Sequence, residues 1–414
     1  MRILIVAVGT RGDVAPYTGL GARFTEAGHE VTIAAYAEFA DLVHRGGARF
    51  FCLPGDPRAD SSWTHLQKGS AIGTGPLGLA ARLRAMGDEM VALAEAIRVA
   101  AEGTMDVLLL SAPASLGYHV AEYLRIPSVG VFLQPMFPTS EHPPALLGFG
   151  RSLGPFGNRA AGHLVKISMN RIFARAIRIV RASLDLPPLS PAGVSRQMRS
   201  WPVQHGYSPT VLPRPHDWRP ELDVAGYLWP APDPGWRPSD ELAAFLDDGP
   251  PPVFVGFGSC VFGDGPRLSA LITEALHRVG ARGVIQAGWS GLEGSSDRLL
   301  TIGEAPHEWL FPRMAAVVHH AGAGTSAAGL RAGVPTVSTP VVSDEPFWGS
   351  RMALLGVGPK PIPHRKLTAD RLASAVGAAV TSADYHERAA WVATRIAGED
   401  GAGHIVTAVE KLAG

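Results

Sequence analysis

Short, continuous apolar runs recur along the chain, and a turn rich in glycine or small polar residues follows most of them. They are RILIVAV, VTIAAY, DVLLLS, SVGVFL, VFVGF, GVIQAG, LLTIG, AAVVHH and TVSTP, starting from Arg2. Runs without alternation are typical of parallel strands covered on both faces. Segments such as PYTGLGARFTEAGHE lie between them and predict helices. The alternation predicts an α/β protein built from doubly wound parallel sheets.

A proline-rich stretch divides the pattern into two halves. It contains Pro202, Pro209, Pro213, Pro215, Pro220, Pro230, Pro232 and Pro234. Such a stretch cannot form a long helix or a central strand. We predict an N-terminal domain over 1–215, a linker over 216–236, a second domain over 237–390, and a C-terminal helix over 391–414 that returns to the first domain. Two facing sheets of this kind predict a ligand cleft between their C-terminal strand ends.

Composition narrows the class of protein. Hydrophobic residues make up 46% of the 414 positions and charged residues 18%, which is typical of a folded globular chain. The formal net charge is 0, so no overall field favours nucleic acid. Two cysteines in so long a chain exclude a disulfide framework and indicate a reducing, cytoplasmic location. No apolar run reaches the roughly 18 residues that would span a bilayer.

The turn after the first run, GTRGD at 9–13, offers a candidate catalytic carboxylate. Asp13 follows a strand end that opens on the predicted cleft, and a carboxylate there can accept a proton from a hydroxyl group. Asp13 can equally cap the next helix, since Pro16 lies in that helix's first turn. The sequence leaves both interpretations open.

Three turns of the second half could hold a ligand that carries both an anionic group and hydroxyl groups. Gly256–Ser259 (GFGS) exposes amides and one hydroxyl, and HHAGAGTS at 319–326 leads into a helix predicted to start near Ser326. A histidine there could add a hydrogen bond or a positive charge, while two adjacent histidines without a partner ligand are a weak metal signal. SDEPFW at 343–348 places two acids at a strand end, where they could hold sugar hydroxyls or lie in a solvated loop with Asp344 as a helix cap.

These motifs together resemble a known family. PHEWLFPRMAAVVHHAGAGTSAAGLRAGVPTVSTPVVSDEPFWGSRMALLGVGP resembles the donor-binding signature of the family-1 inverting glycosyltransferases, in their bacterial sterol and glycopeptide-antibiotic branch. GTRGDVAPY resembles the acceptor-side motif of that branch, and YSPTVLPRPHDWRPELDVAGYLW its interdomain segment. The resemblance implies the GT-B fold, in which two Rossmann-like domains face each other across a central cleft. It also implies secondary metabolism, such as antibiotic biosynthesis.

The resemblance implies a role for particular residues. Asp13 matches the catalytic base. The positions that match diphosphate contacts are Thr10, Ser259, His320, Gly322, Gly324 and Thr325. The nucleoside would lie against Trp289 and the turn that contains Ala305, His307 and Trp309. Asp344 and Glu345 match the pair of residues that holds the donor sugar.

The implied reaction moves a sugar from a UDP- or TDP-sugar to a hydroxyl of a small, apolar acceptor, either a natural-product aglycone or a sterol-like molecule. Asp13 would deprotonate the acceptor as it attacks the anomeric carbon. The sequence contains no Asp-x-Asp motif, so we expect no metal and no cofactor. A sugar-nucleotide epimerase on the same fold and a catalytically silent partner protein are the alternatives. The first leaves GTRGDV unexplained, and the second is disfavoured by the joint presence of Asp13, Ser259 and His320.

Two positions depart from the family pattern, Ala321 in place of glycine and Glu345 in place of glutamine. The change at Ala321 is mild. Glu345 could pair with Arg351 or point to solvent, with an ordinary neutral hexose as donor. Alternatively, it could accept hydrogen bonds from an unusual amino- or deoxysugar.

The segment 142–184 contains seven basic residues and no acidic ones. Arg171, Arg175 and Arg178 would share one helical face. They predict either a solvated cationic face or a surface that touches an anionic membrane or an acidic acceptor.

Overall fold

The computed structural model describes residues 1–56, 76–103, 105–261, 264–294 and 296–413, without the side chains of 76–83 and 413. Residues 57–75, 104, 262–263, 295 and 414 therefore lie outside the described residues. Within them, the strands form two parallel sheets of seven and five strands. No described helix combines the length and the apolar character needed to cross a bilayer.

The first sheet has the strand order β3-β2-β1-β4-β5-β6-β7. Its strands are β1 (Arg2–Val6), β2 (Glu30–Tyr36), β3 (Arg49–Leu53), β4 (Val107–Leu110), β5 (Ser128–Phe132), β6 (Val203–His205) and β7 (Leu222–Val224). The direction of winding reverses at β1, where Ile3 pairs with Val31 on one side and Val107 on the other. Such a reversal point is where open α/β sheets bind ligands.

The second sheet has the order β10-β9-β8-β11-β12. Its strands are β8 (Val253–Gly256), β9 (Gly283–Gln286), β10 (Leu299–Ile302), β11 (Ala316–His319) and β12 (Thr336–Ser338). The reversal point lies between β8 and β11, whose ends meet where Gly256 pairs with His319. The predicted doubly wound architecture is confirmed in both halves.

Helices cover both sheets. They are α1 (Arg11–Glu26), α2 (Ala40–Arg45), α3 (Pro76–Ala101), α4 (Gly117–Leu124), α5 (Gly154–Ser183), α6 (Pro191–Gln197), α7 (Asp240–Asp247), α8 (Gly265–Val279), α9 (His307–Leu310), α10 (Ala323–Ala332), α11 (Glu345–Leu355), α12 (Ala369–Thr381), α13 (Ala383–Ala397) and α14 (Gly401–Ala413). Helix α10 begins at Ala323, three residues before the predicted start. Gly322 has the extended backbone of an N-cap residue, which allows the earlier start.

The last helix packs against the first sheet. Ile405, Val406 and Val409 of α14 are buried in the same apolar cluster as Ile3 and Leu20. Arg23 of α1 reinforces this contact through an ion pair with Asp400, with 2.7 Å between Nη2 and Oδ2. The chain therefore crosses between the two sheets a second time after the interdomain segment.

Part of the predicted linker 216–236 belongs to the first sheet. Strand β7 falls inside it and pairs with β6 through residues such as Leu222 and Val203. Strand β7 has three residues and lies at the edge of the sheet. Pro220, which precedes it, therefore interrupts no hydrogen-bonded ladder on the outer side of β7. The connecting segment therefore begins after Val224.

Candidate active site

Asp13 lies in the first turn of α1, directly after the end of β1. Its Oδ2 accepts hydrogen bonds from the amide of Thr10 at 2.9 Å and from the Thr10 hydroxyl at 3.2 Å. Gly9, with φ of +138°, leaves room for this arrangement, since a Cβ there would lie 2.4 Å from Oδ2. Oδ1 makes no hydrogen bond with a described residue. Asp13 thus caps α1 with one oxygen and keeps the other free.

The surroundings of Asp13 make it more basic. Burial raises the pKa of its carboxyl to about 6, and the negative charge of Asp344 contributes, against the hydrogen bonds from Thr10. Asp13 follows β1 of the first sheet, and Asp344 follows β12 of the second sheet. Their electrostatic interaction indicates that the end of β1 and the loop after β12 face the same region. A carboxylate whose pKa is raised towards neutrality suits a general base.

The two glycine-rich turns of the second sheet lie side by side, because β8 and β11 are neighbours. A Cβ added to Gly258, next to Ser259, would lie 3.7 Å from Cε1 of His320. A Cβ on Gly322 would approach Nε2 of His320 to 2.4 Å, so only glycine fits against this ring. The structure therefore brings together the turns that carry Ser259, His320 and Gly322.

His320 is neutral in this setting. Burial lowers the pKa of its imidazole to about 4, so it offers a hydrogen bond rather than a positive charge near neutral pH. Its Nδ1 is buried and has no hydrogen-bond partner among the described residues. Gly322 caps α10, and Gly324 and Thr325 follow in its first turn, where free amides favour an anion.

The first turns of α1 and α10 approach each other across the cleft. A Cβ on Gly324 would lie 3.9 Å from the carbonyl oxygen of Gly12. Beside them, Nη1 of Arg11 forms an ion pair with Oε2 of Glu304 at 3.2 Å. The acceptor-side turn therefore lies directly against the turns of the second sheet.

The proposed nucleoside residues fall into two groups. Trp289 lies on the loop after β9, and its amide donates to the carbonyl of Gly258 at 3.0 Å, which joins it to the GFGS turn. Ala305 is half-buried and lies two residues before α9. Both lie on loops that follow strands of the second sheet.

His307 and Trp309 are engaged by protein neighbours. The His307 ring stacks on Phe311, with 4.2 Å between ring centroids. Trp309 lies with its ring 5.0 Å from Trp236 of the interdomain segment, and the guanidinium of Arg313 lies 4.2 Å from its ring centroid. These two rings therefore shape the turn by packing.

Asp344 and Glu345 begin α11 but have different surroundings. Oδ2 of Asp344 accepts a hydrogen bond from Nε1 of Trp348 at 2.9 Å, and burial raises the pKa of its carboxyl. Oε2 of Glu345 accepts from the amides of Val341 at 2.6 Å and Val342 at 3.1 Å. Burial raises the pKa of Glu345 to about 7.

The expectation that Glu345 pairs with Arg351 or points to solvent is wrong. Glu345 is only 6% exposed, because the two loop amides draw its side chain inward. Arg351 instead donates from Nε to the carbonyl oxygen of Val211, in the N-terminal half of the chain. Sequence spacing suggested an ion pair within α11, but the arginine is used between the two halves.

Known proteins resemble the chain along its whole length. Residues 3–143 match the N-terminal domain of glycosyltransferase family 28, and residues 289–412 match the C-terminal domain of erythromycin biosynthesis protein CIII-like proteins. The O-mycaminosyltylonolide 6-deoxyallosyltransferase of Streptomyces fradiae is 32% identical over 100% of this chain and 98% of its own. The chain belongs to the same glycosyltransferase family as this Streptomyces fradiae protein.

Three further comparisons place the chain among its relatives. A sterol 3-beta-glucosyltransferase of Arabidopsis thaliana is 35% identical over 91% of the chain, which spans 60% of the plant protein's length. The crystal structure of the kitacinnamycin glycosyltransferase superposes with a TM-score of 0.74 at 18% identity, covering 99% of this chain and 98% of that one. The calicheamicin glycosyltransferase CalG4 gives 0.70 at 18% identity, over 99% and 97%. The GT-B fold is thus confirmed.

The structure adds residues to the cleft of this glycosyltransferase that sequence reasoning missed. Cys260 is buried directly after the GFGS turn, and its thiol lies 3.9 Å from Oε1 of Glu345. Arg11, in the GTRGD turn, joins the two sheets. In the sequence, Cys260 was notable only as one of two cysteines, because Glu345, the residue that it contacts, is 85 positions away. Ala321 has a φ of +69°, the left-handed conformation that suits the glycine of relatives.

Proposed function

We propose that this chain is an inverting, metal-independent O-glycosyltransferase that uses a UDP- or TDP-sugar and a small lipophilic acceptor. One observation carries the proposal. Asp13 and Asp344 come from different sheets, yet the charge of Asp344 helps raise the pKa of Asp13. The carboxyl suited to deprotonate an acceptor is therefore within electrostatic reach of the residue proposed to hold the donor sugar. A Cβ on Gly324, in the first turn of α10, would lie 3.9 Å from the carbonyl oxygen of Gly12, next to Asp13.

The proposed reaction is a single displacement. Oδ1 of Asp13 takes the proton of the acceptor hydroxyl while that oxygen attacks the anomeric carbon and the bond to the diphosphate breaks. Negative charge then grows on the leaving diphosphate, where preorganised donors stabilise it. The donors are the first-turn amides of α10 and the side chains of Thr10, Ser259 and His320. Because these groups are in place before reaction, no metal ion is needed in the scheme.

Both the donor and the acceptor can be narrowed to a class. The nucleoside would lie against Trp289 and the turn 305–309, and Asp344 would accept hydrogen bonds from sugar hydroxyls. The names of the relatives describe transfer to a sterol in one case and to O-mycaminosyltylonolide in the other. A sterol is lipophilic and hydroxylated, which supports an acceptor of that class here.

We further propose that the enzyme is cytoplasmic and reaches its acceptor at a membrane surface. The surface that would make this contact is an apolar strip of exposed side chains: Leu147, Phe149, Leu153, Phe156, Leu164 and Ile167. Phe156 is 92% exposed and Leu164 is 64% exposed. Single exposed apolar residues are ordinary, but several within one segment, 147–167, indicate an interaction surface.

The charges around the apolar strip favour an anionic bilayer. Arg151, Arg171 and Arg178 are exposed and form no ion pair with a described residue. Each basic residue near an anionic surface adds about 1 kcal/mol of attraction. The strip also adjoins α11, the helix that Glu345 begins, because a Cβ on Gly150 would lie 2.6 Å from the hydroxyl of Ser350. A lipophilic acceptor would thus be close to the bilayer.

A donor and acceptor panel tests the proposed reaction. The chain is incubated with UDP-glucose and with TDP-deoxysugars, each with a sterol, a macrolide aglycone or no acceptor, and with or without EDTA. We expect an acceptor-dependent glycoside that forms equally in the chelator. Conversion of the sugar nucleotide without acceptor would indicate an epimerase, and complete loss in EDTA would overturn the metal-free scheme.

The departure at Glu345 is tested by the same panel. If Glu345 selects the donor sugar, Glu345→Gln changes the ratio of kcat/KM between TDP-deoxysugars and UDP-glucose by at least tenfold. The same ratio in both proteins would show that the residue does not select the sugar. Phosphate contacts are common to all these donors, so they do not affect the ratio.

A further inference from the structure

Three side chains of different types meet where the turns after β8 and β11 approach the start of α11. A sulfur of Cys260, a ring nitrogen of His320 and a carboxylate oxygen of Glu345 lie within 4.8 Å of one another. Cys260 and Glu345 are buried and His320 is half-buried. Because the sequence separates them widely, only the fold brings them together.

These three groups are the ligand types that zinc prefers. Thiolate, imidazole and carboxylate bind zinc at about 2.3, 2.0 and 2.1 Å in tetrahedral geometry, which places ligand atoms about 3.5 Å apart. The thiol of Cys260 and Oε1 of Glu345 are 3.9 Å apart.

The surroundings hold Glu345 in place and leave a nitrogen of His320 without a partner. The amides of Val341 and Val342 bind Oε2 of Glu345, which orients the carboxylate and leaves Oε1 on the side of Cys260. Such outer contacts are typical of metal-binding carboxylates. Nδ1 of His320 is buried without a described partner, which is costly unless something binds there.

We propose that Cys260, His320 and Glu345 bind one soft divalent cation, and that zinc is its natural class. The Cys260 thiol loses its proton to solvent as the metal–sulfur bond forms. Tetrahedral zinc would have its fourth position left for water, since the chain supplies three ligands. The ion plays no part in the proposed transfer reaction, and it shares with the proposed donor site both His320 and Glu345.

Cobalt(II) titration of the metal-free protein tests this site, because a tetrahedral cobalt–thiolate bond gives a strong near-ultraviolet absorption band. We expect one cobalt ion per chain, displaced by one zinc ion. Cys260→Ser should abolish the band, and Glu345→Gln should weaken affinity at least tenfold. Cys52→Ser is the matched control, since Cys52 is the only other cysteine and is free.

Absence of the band in the wild-type protein would overturn the proposal, as would an unchanged band in Cys260→Ser. Thermal unfolding of each variant shows whether it is folded. If Cys260→Ser does not fold, Glu345→Gln tests the site with the Cys260 thiol still present. The measurement uses the metal alone and involves no sugar nucleotide. It therefore succeeds or fails independently of the proposed glycosyl transfer.

Discussion

The two oxygens of the Asp13 carboxyl have different surroundings. Oδ2 is held by Thr10, and Oδ1 has no partner among the described residues. A helix cap and a general base are therefore compatible in one side chain. A substitution that keeps the cap and removes the basicity can separate the two roles.

Asp13→Asn is that substitution, because an asparagine oxygen can still accept the Thr10 amide. We expect kcat to fall by roughly two to four orders of magnitude, as for a lost general base, with donor affinity unchanged. Asp400→Asn is the control, since Asp400 also caps a helix by accepting from the Gly403 amide. Near-normal turnover of Asp13→Asn would leave this residue as a cap only.

The raised pKa of Asp13 also predicts a pH profile. The base works only when ionised, so kcat/KM should rise through pH 6 and level off roughly one pH unit above it. An unperturbed aspartate would already be ionised near pH 5. The profile is measured from pH 4.5 to 8 under conditions in which thermal unfolding shows a folded protein. A flat profile across pH 5 to 7 would contradict this assignment.

The fit of His320 against Gly322 gives a third prediction for a single residue. A Cβ at Gly322 would lie 2.4 Å from Nε2 of His320, so Gly322→Ala must displace the ring. We expect the affinity for UDP or TDP to fall about tenfold or more, since a hydrogen bond to a charged group is lost. Calorimetry measures this affinity.

Gly377→Ala serves as the control for Gly322→Ala. A Cβ at Gly377 would meet only Val279, at 4.0 Å. Unchanged product affinity in Gly322→Ala would show that the diphosphate does not use His320. A general loss of stability would instead appear in thermal unfolding, which is measured on both variants.

At the level of elements, the sequence predicted the strands that are buried on both faces. Central strands such as β1 and β4 are apolar on both faces and could be assigned from their composition. Strand β3 could not, because it lies at the sheet edge and only Leu53 of its five residues is buried. Helix α5 also escaped prediction as a single unit, since its exposed side includes apolar residues.

The same limit applies to the candidate site. Turns at strand ends were predictable, because parallel strands deliver them to one edge of the sheet. The contact between Cys260 and Glu345 depends on which strands are neighbours, and the path of Arg351 depends on how the two halves pack. Neither has a local signal in the sequence.

The apolar strip on and before α5 gives a prediction about an element. A double substitution, Phe156→Ser with Leu164→Ser, should reduce co-sedimentation with vesicles that contain anionic lipid by at least tenfold. Burial of each such side chain contributes about 1.5–3 kcal/mol when complete, so two losses should be easily measured. Activity on a water-soluble acceptor should be retained.

Leu412→Ser is the matched control, because Leu412 is also exposed but lies on α14. It should leave vesicle binding unchanged. Equal binding of the wild type and the Phe156/Leu164 variant would rule out the apolar strip as the membrane contact. Vesicle binding that does not depend on anionic lipid would show that the arginines do not contribute to membrane attraction.

For the molecule as a whole, α14 connects the end of the described chain to its beginning. Ile405 is fully buried in the cluster that surrounds β1 and α1. Ile405→Ala should therefore lower the free energy of unfolding by about 2–5 kcal/mol, although it lies far from this sheet in sequence. The exposed Thr407→Ala is the control, and chemical denaturation measures both. A loss below about 1 kcal/mol would mean that α14 adds little to the first domain.

This return of the chain has a consequence for biosynthesis. Arg23 and Asp400 are 377 positions apart, and the residues around them complete one domain. At about 5–20 residues per second, a ribosome needs roughly 20–75 s to make the intervening chain. During that time, the apolar surface beneath α14 has no cover from its own polypeptide. The domain made first is therefore the one completed last, and a nascent-chain binding factor would find its target there.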